Sequence, residues 1–281
     1  MLLITLLAGT LVAAACSETR SNQRSAAEMQ ASLFAAAPDR QWALPDRLRE
    51  ISGLAVSPEG HVFVHDDETA AIHQFDVERG EFVKMFMLGD RPMRGDFEGL
   101  AITPAGDFWL MTSTGDFYRF REGRDGEHVG YERFNAGTEH VCELEGLTYL
   151  ASENSLILAC KRNHDRAMRD TPLLLSWPPG DAVRPTEWRR AQTNFAEASD
   201  VRRFQPSSVE IDARTGRIIL LSANDAALAE LDAGGTLLAA RALGRAHPQP
   251  EGLAILPDGS LLIADEGGDG QARLSHYSRN P

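Results

Sequence analysis

The 281 residues contain no G-x-S-x-G elbow, no H-E-x-x-H pair, no P-loop and no dinucleotide fingerprint. The routes to catalysis that short motifs reveal are therefore closed. Positive charge is scarce: 28 Lys and Arg stand against 41 Asp and Glu, a formal net charge of −13. Such a surface repels a phosphate backbone, so no nucleic-acid partner is expected. It either confers solubility or concentrates cations. Only three cysteines occur. The longest uncharged apolar run, MLLITLLAGTLVAAA at residues 1–15, falls short of the roughly 20 residues that span a bilayer.

That run has instead the length of a signal-peptide core and ends in small residues before Cys16. Leu11–Val12–Ala13–Ala14–Ala15–Cys16 resembles a bacterial lipobox, in which the cysteine thiol is lipidated and becomes the new N-terminus. Ala13 stands where leucine is commonest, and no basic residue precedes the core. The expected organisation is a signal peptide over 1–15, a lipidated Cys16 with a polar tether over 16–40, and one domain over 41–281. The protein would then face the periplasm from a lipid anchor in the cell envelope. Ser17, not being aspartate, would permit sorting to the outer membrane in a diderm host.

One pentad recurs five times: Ser52–Val56 (SGLAV), Glu98–Ile102 (EGLAI), Glu145–Tyr149 (EGLTY), Ser207–Ile211 (SSVEI) and Glu251–Ile255 (EGLAI). Each runs through a turn signal into an apolar stretch such as HVFVHDD, DFWLMTS or SLLIADE, which is the pattern of a β-hairpin. The second pentad residues lie 46, 47, 62 and 44 positions apart. Spacings in the mid-forties match a four-stranded propeller blade of about 40–50 residues. An extra blade needs more chain than the long interval holds, so that interval reads as an insertion, Pro178–Phe204. The expected fold is an all-β propeller of five four-stranded blades. Its last blade lacks an outer strand, which Gln41–Arg47 can supply, closing the ring and removing an open edge.

Leu48–Val56 (LREISGLAV), the recurring E-G-L and Pro250–Glu266 (PEGLAILPDGSLLIADE) resemble the SdiA-regulated, YjiK-like family of bacterial envelope propellers over about Trp42 to Tyr277. The resemblance implies an envelope location, a propeller fold and a link to calcium or signalling. It implies no defined reaction.

Counting back from each turn at uniform register places Glu98 opposite Ser113, Glu145 opposite Cys160 and Glu251 opposite Glu266, with Ser52 opposite Asp67. One rim of the channel thus gathers Glu98, Glu145, Glu251, Asp67, Asp265 and Glu266, with Asp66, Asn224 and Asp225 close by and Lys161 and Arg162 of opposite sign. Converging carboxylates need a counter-ion or raised pKa values. A divalent cation such as calcium, with six to eight oxygen ligands, answers that need. Alternatively, each Glu locks the repeat by bonding the backbone of the next blade. His65, His140, His164 and His247 fall near the same face, as either general bases or loop histidines. Trp109 and Trp177 read as core. The same count sets Cys142 about three residues beyond the position facing Cys160, out of disulfide reach, so both thiols are expected free.

Three functions remain open: a non-enzymatic binding or sensing propeller of the envelope, a metal-dependent hydrolase of lactonase or phosphoesterase type on the same rim, and a scaffold presenting a propeller face to a protein partner.

Overall fold

The computed structural model describes residues 30–281 except 169–170, 181–183, 192–194, 196–200 and 202–203. The signal peptide, Cys16 and most of the tether lie outside the described residues.

Five four-stranded antiparallel blades radiate from a common axis, and the first gains a short fifth strand, His128–Val129, that pairs parallel with Glu81–Leu88. The innermost strands are Ile51–Val56, Phe97–Ile102, Cys142–Leu150, Ser208–Ile211 and Pro250–Ile255, in blades 1 to 5. Each packs against its two sequence neighbours, and the fifth packs against the first. The pentad is thus the axial strand of its blade. Near-continuous apolar runs on the second strands, buried on both faces, fill the space between blades, where Phe63, Phe86 and Phe108 meet edge to face between blades 1 and 2. Trp109 and Trp177 are buried in the core between blades 2 and 3.

The fifth blade takes its outer strand from the other end of the chain. Arg40–Ala43 pairs antiparallel with Arg273–Tyr277, Trp42 opposite Leu274. The closing strand begins one residue earlier than the sequence indicates. Asp46–Leu48 turns off as a short 3-10 segment that buries Leu48. Further upstream, Gln30 donates its backbone N–H to Leu238 O in blade 4, and Leu33 N–H donates to the Glu230 carboxylate.

The long interval is only partly an insertion. Thr186–Arg190, inside the stretch Pro178–Phe204, is the regular outer strand of blade 3, paired with Leu173–Ser176. Beyond it Phe195, Val201 and Phe204 bury themselves between blades 3 and 4. Arg190 pairs with Glu187 and Arg189 bonds Ala233 O, so neither stands over the channel as a free cation.

The two cysteines are bonded, correcting the expectation of free thiols. Cys142 and Cys160 have Cα atoms 5.6 Å apart and form a disulfide. Register is not uniform: shifts at Glu143/Leu144 and Leu144/Gly146 leave Leu144, not Glu145, opposite Cys160. The bend in the strand brings Cys142 within reach.

Candidate functional site

The first pentad residue is bulged out of the ladder in four blades. In blade 2, Phe97 pairs with Thr112 and Gly99 with Met111, so Glu98 is the extra residue; Glu251 stands the same way between Pro250 and Gly252. The shifts around Glu145 and between Ile51 and Leu54 repeat the pattern. Glu98 therefore does not face Ser113, nor Glu251 Glu266. A bulge twists the strand and re-aims the side chain of its extra residue.

The second pentad position explains the glycine. A Cβ on Gly99 would stand 2.6 Å from Leu147 Cβ in the next blade, and one on Gly146 2.8 Å from Val209 N. Inner strands approach too closely at the axis for any side chain. Blade 4 departs from the rule, and there the Ser208 hydroxyl accepts the Leu253 N–H at 3.3 Å. Locking between blades falls to the serines of the first position. Ser52 Oγ donates to Glu98 O, and Ser207 Oγ donates to Pro250 O at 2.8 Å.

The glutamates do something else. Glu145, 3% exposed, accepts from Lys161 Nζ at 2.8 Å and shares a further hydrogen bond with Glu98. Burial, with the neighbouring Glu145 carboxylate, pushes Glu98 up to about 9, so at neutral pH it is a protonated carboxyl. Burial and Glu145 push Glu251 up to about 7, and burial with Glu251 pushes Glu266 up to about 8. Gln249 donates to Glu266. Asp67, desolvated beside Glu50, rises to about 6, and its buried Oδ1 has no hydrogen-bond partner among the described residues. Desolvation works against the Lys161 charge, yet Glu145, Glu251 and Glu98 outweigh it and hold the ammonium up to about 12.

Asp265 does not join them as expected. It is fully buried, accepts from His247 Nδ1 at 2.6 Å, and the Tyr277 hydroxyl closes the chain on His247 Nε2. Asp66 caps the following turn through the Glu68 and Thr69 amides. His65 is sealed in, accepting the Gly53 N–H on Nε2, and burial lowers its pKa to about 4. His140 is exposed beside Glu139, and Asn224 is held by Gln205.

An all-oxygen donor set fits a hard cation in kind. It is not a preassembled cage: among the described residues, no three His, Cys, Asp or Glu side chains stand ready to hold a metal ion together. Protons and Lys161 compensate the acid in this arrangement.

The family described as SdiA-regulated matches residues 129–268. No curated protein sequence matches the chain. Among solved structures, glutaminyl cyclase of Myxococcus xanthus is similar at 17% identity and a TM-score of 0.59, covering 86% of this chain and 95% of that one. PQQ-bound aldose sugar dehydrogenase of Streptomyces coelicolor is similar at 13% and 0.55, covering 87% and 100%. A luciferin-regenerating enzyme is similar at 9% and 0.54, covering 85% and 95%. At these identities the likeness is one of fold.

Proposed function

Starting from a chain whose residues 129–268 match the SdiA-regulated family, we propose that the protein is a non-enzymatic binding propeller of the bacterial envelope, anchored through a lipid on Cys16, whose acidic channel mouth takes a divalent cation of the calcium type. One observation carries the reading: among the described residues, Lys161, bonded to Glu145 at 2.8 Å, is the one ammonium facing Glu98, Glu145, Glu251 and Glu266, and burial with mutual repulsion raises the pKa of each carboxyl. A hard cation replaces the protons held there with a stronger counter-charge. Glu98, Glu145 and Glu251 would hold it, with Glu266 and Asp67 beside them.

The hydrolase reading gains no support from two of the four histidines named from the sequence. His65 and His247 are fully buried and committed to neighbours, so neither offers a general base to a substrate at this mouth. The enzymatic activities of the similar structures belong to those proteins, whose likeness to this chain is in fold.

The test is thermal unfolding of the purified, chelator-treated protein with and without calcium. At a hundredfold excess over the dissociation constant, binding stabilises by about 2.7 kcal/mol. Glu251→Gln should shrink the shift without changing the fold seen by circular dichroism. A wild-type protein indifferent to calcium would return these glutamates to structural duty. Mass spectrometry of the mature N-terminus tests the anchor, and an unmodified Cys16 would remove it.

A further inference from the structure

The pentad that opens at the acidic mouth ends at the other end of the channel. Its fifth residues, Val56, Ile102, Tyr149, Ile211 and Ile255, one from each blade, ring a cavity of about 320 Å³. All five keep partial exposure, unlike the buried leucines two positions earlier in the E-G-L copies. The fourth position is alanine in blades 1, 2 and 5 and threonine in blade 3, but glutamate in blade 4. Glu210 thus places a carboxyl beside the five fifth-position side chains, in a cavity whose lining also includes Thr148, Asp212 and Arg214.

That carboxyl is fixed along one edge. Thr148 Oγ1 donates to Oε1 at 2.7 Å from the neighbouring blade, and the Ile211 amide donates to the same oxygen at 3.0 Å. Among the described residues, Oε2 makes no hydrogen bond. The charged groups at the cavity edge are otherwise engaged. Asp212 is held by Arg279 through two hydrogen bonds at 3.0 and 2.9 Å, and Arg214 Nη2 donates to Pro257 O at 2.8 Å. Burial lifts Glu210 to about 7 against the pull of its two donors, so it holds a proton part of the time at neutral pH.

We propose that this cavity is a second binding site, for a small organic amine with an apolar body, whose ammonium group occupies Glu210 Oε2 while its carbon chain lies against the apolar ring. The volume is at the low end of the roughly 300–1,000 Å³ usual for ligand pockets, which limits the occupant to a small molecule. An ammonium supplies the donor that Oε2 lacks. An alcohol supplies a donor without charge, and a carboxylate meets repulsion. Binding shifts Glu210 to its ionised form and so releases protons. The site is independent of any cation at the opposite mouth.

The experiment is titration calorimetry at neutral pH with n-hexylammonium, hexan-1-ol and hexanoate, in buffers of contrasting ionisation heat. Single-site binding of hexylammonium with proton release is expected, with hexanol weaker and hexanoate silent. Glu210→Gln should weaken hexylammonium binding by at least about tenfold and abolish proton release. Glu251→Gln, at the acidic mouth, should leave it unchanged. Val56→Phe, which narrows the cavity without touching its charge, should weaken binding and serves if Glu210→Gln fails to fold. Equal binding of hexanol, preferential binding of hexanoate, or binding that survives both cavity variants would overturn the proposal. So would binding lost in Glu251→Gln, because the amine would then sit at the other mouth.

Discussion

Gly252 and Ser52 meet where the fifth blade closes on the first, the glycine lying so close to the Ser52 carbonyl that a Cβ would overlap it. Gly252→Ala should therefore cost about 1–3 kcal/mol, the range for forcing extra volume into packed structure. Gly130→Ala is the control, since nothing lies within 4 Å of a Cβ there. Its effect should stay within about 0.5 kcal/mol. Urea denaturation of both variants measures the difference, and equal midpoints would remove the close-approach explanation of the E-G-L glycine.

The Cys142–Cys160 bond closes a short loop, with a sequence separation of 18. Its loss should cost about 3 kcal/mol through the entropy returned to the unfolded chain. Reductant should lower the melting temperature of the wild type and leave a Cys142→Ala, Cys160→Ala double variant unmoved. Thiol titration of the denatured, unreduced protein should find neither cysteine free.

The acidic mouth makes a signed prediction about pH. Glu98 moves from an ordinary 4.5 to about 9 on folding, Glu266 to about 8 and Glu251 to about 7. The native state therefore holds protons that the unfolded chain has already lost. This contribution to stability is complete below about pH 4.5 and is lost as pH rises through the folded values. Without added metal, the melting temperature should fall between about pH 5 and about pH 9, and less steeply in Glu98→Gln. A stability that climbs across that range would contradict the proton-bearing mouth.

Removing Arg40–Ala43 strips the partner from Arg273–Tyr277 and leaves that strand as an open edge. Light scattering during storage and heating should report aggregation that the intact protein lacks. A truncated protein that stays monodisperse and melts normally would show that closure does not need this strand.

The blade count, the axial strand and the closing segment were legible because each is written in repeated or terminal sequence. The bulge was not. Nothing in E-G-L distinguishes an extended glutamate from one squeezed out of the ladder, and uniform counting put Glu98 opposite Ser113 where Phe97 in fact pairs with Thr112. The same irregularity hid the disulfide. The capture of Asp265 by His247 joins residues 18 positions apart, a tertiary pairing without a local signal. Ser52 and Ser207, which stand where the other three pentads carry glutamate, are the residues that bond the next blade. Glu210 was missed although its signal was present: it breaks the small fourth position of its pentad.

The strand exchange at the fifth blade also makes ring closure wait for residues made far apart in time. Arg40–Ala43 emerges from the ribosome early but can pair only when Arg273–Tyr277 exists. Leu274 and Tyr277, both buried, lie in the strand that Arg40–Ala43 waits for. A product stopped short of residue 273 has every earlier blade and no means of sealing the ring. Early termination is thereby converted into an unpaired N-terminal strand and an exposed apolar seam, features that proteases and chaperones recognise.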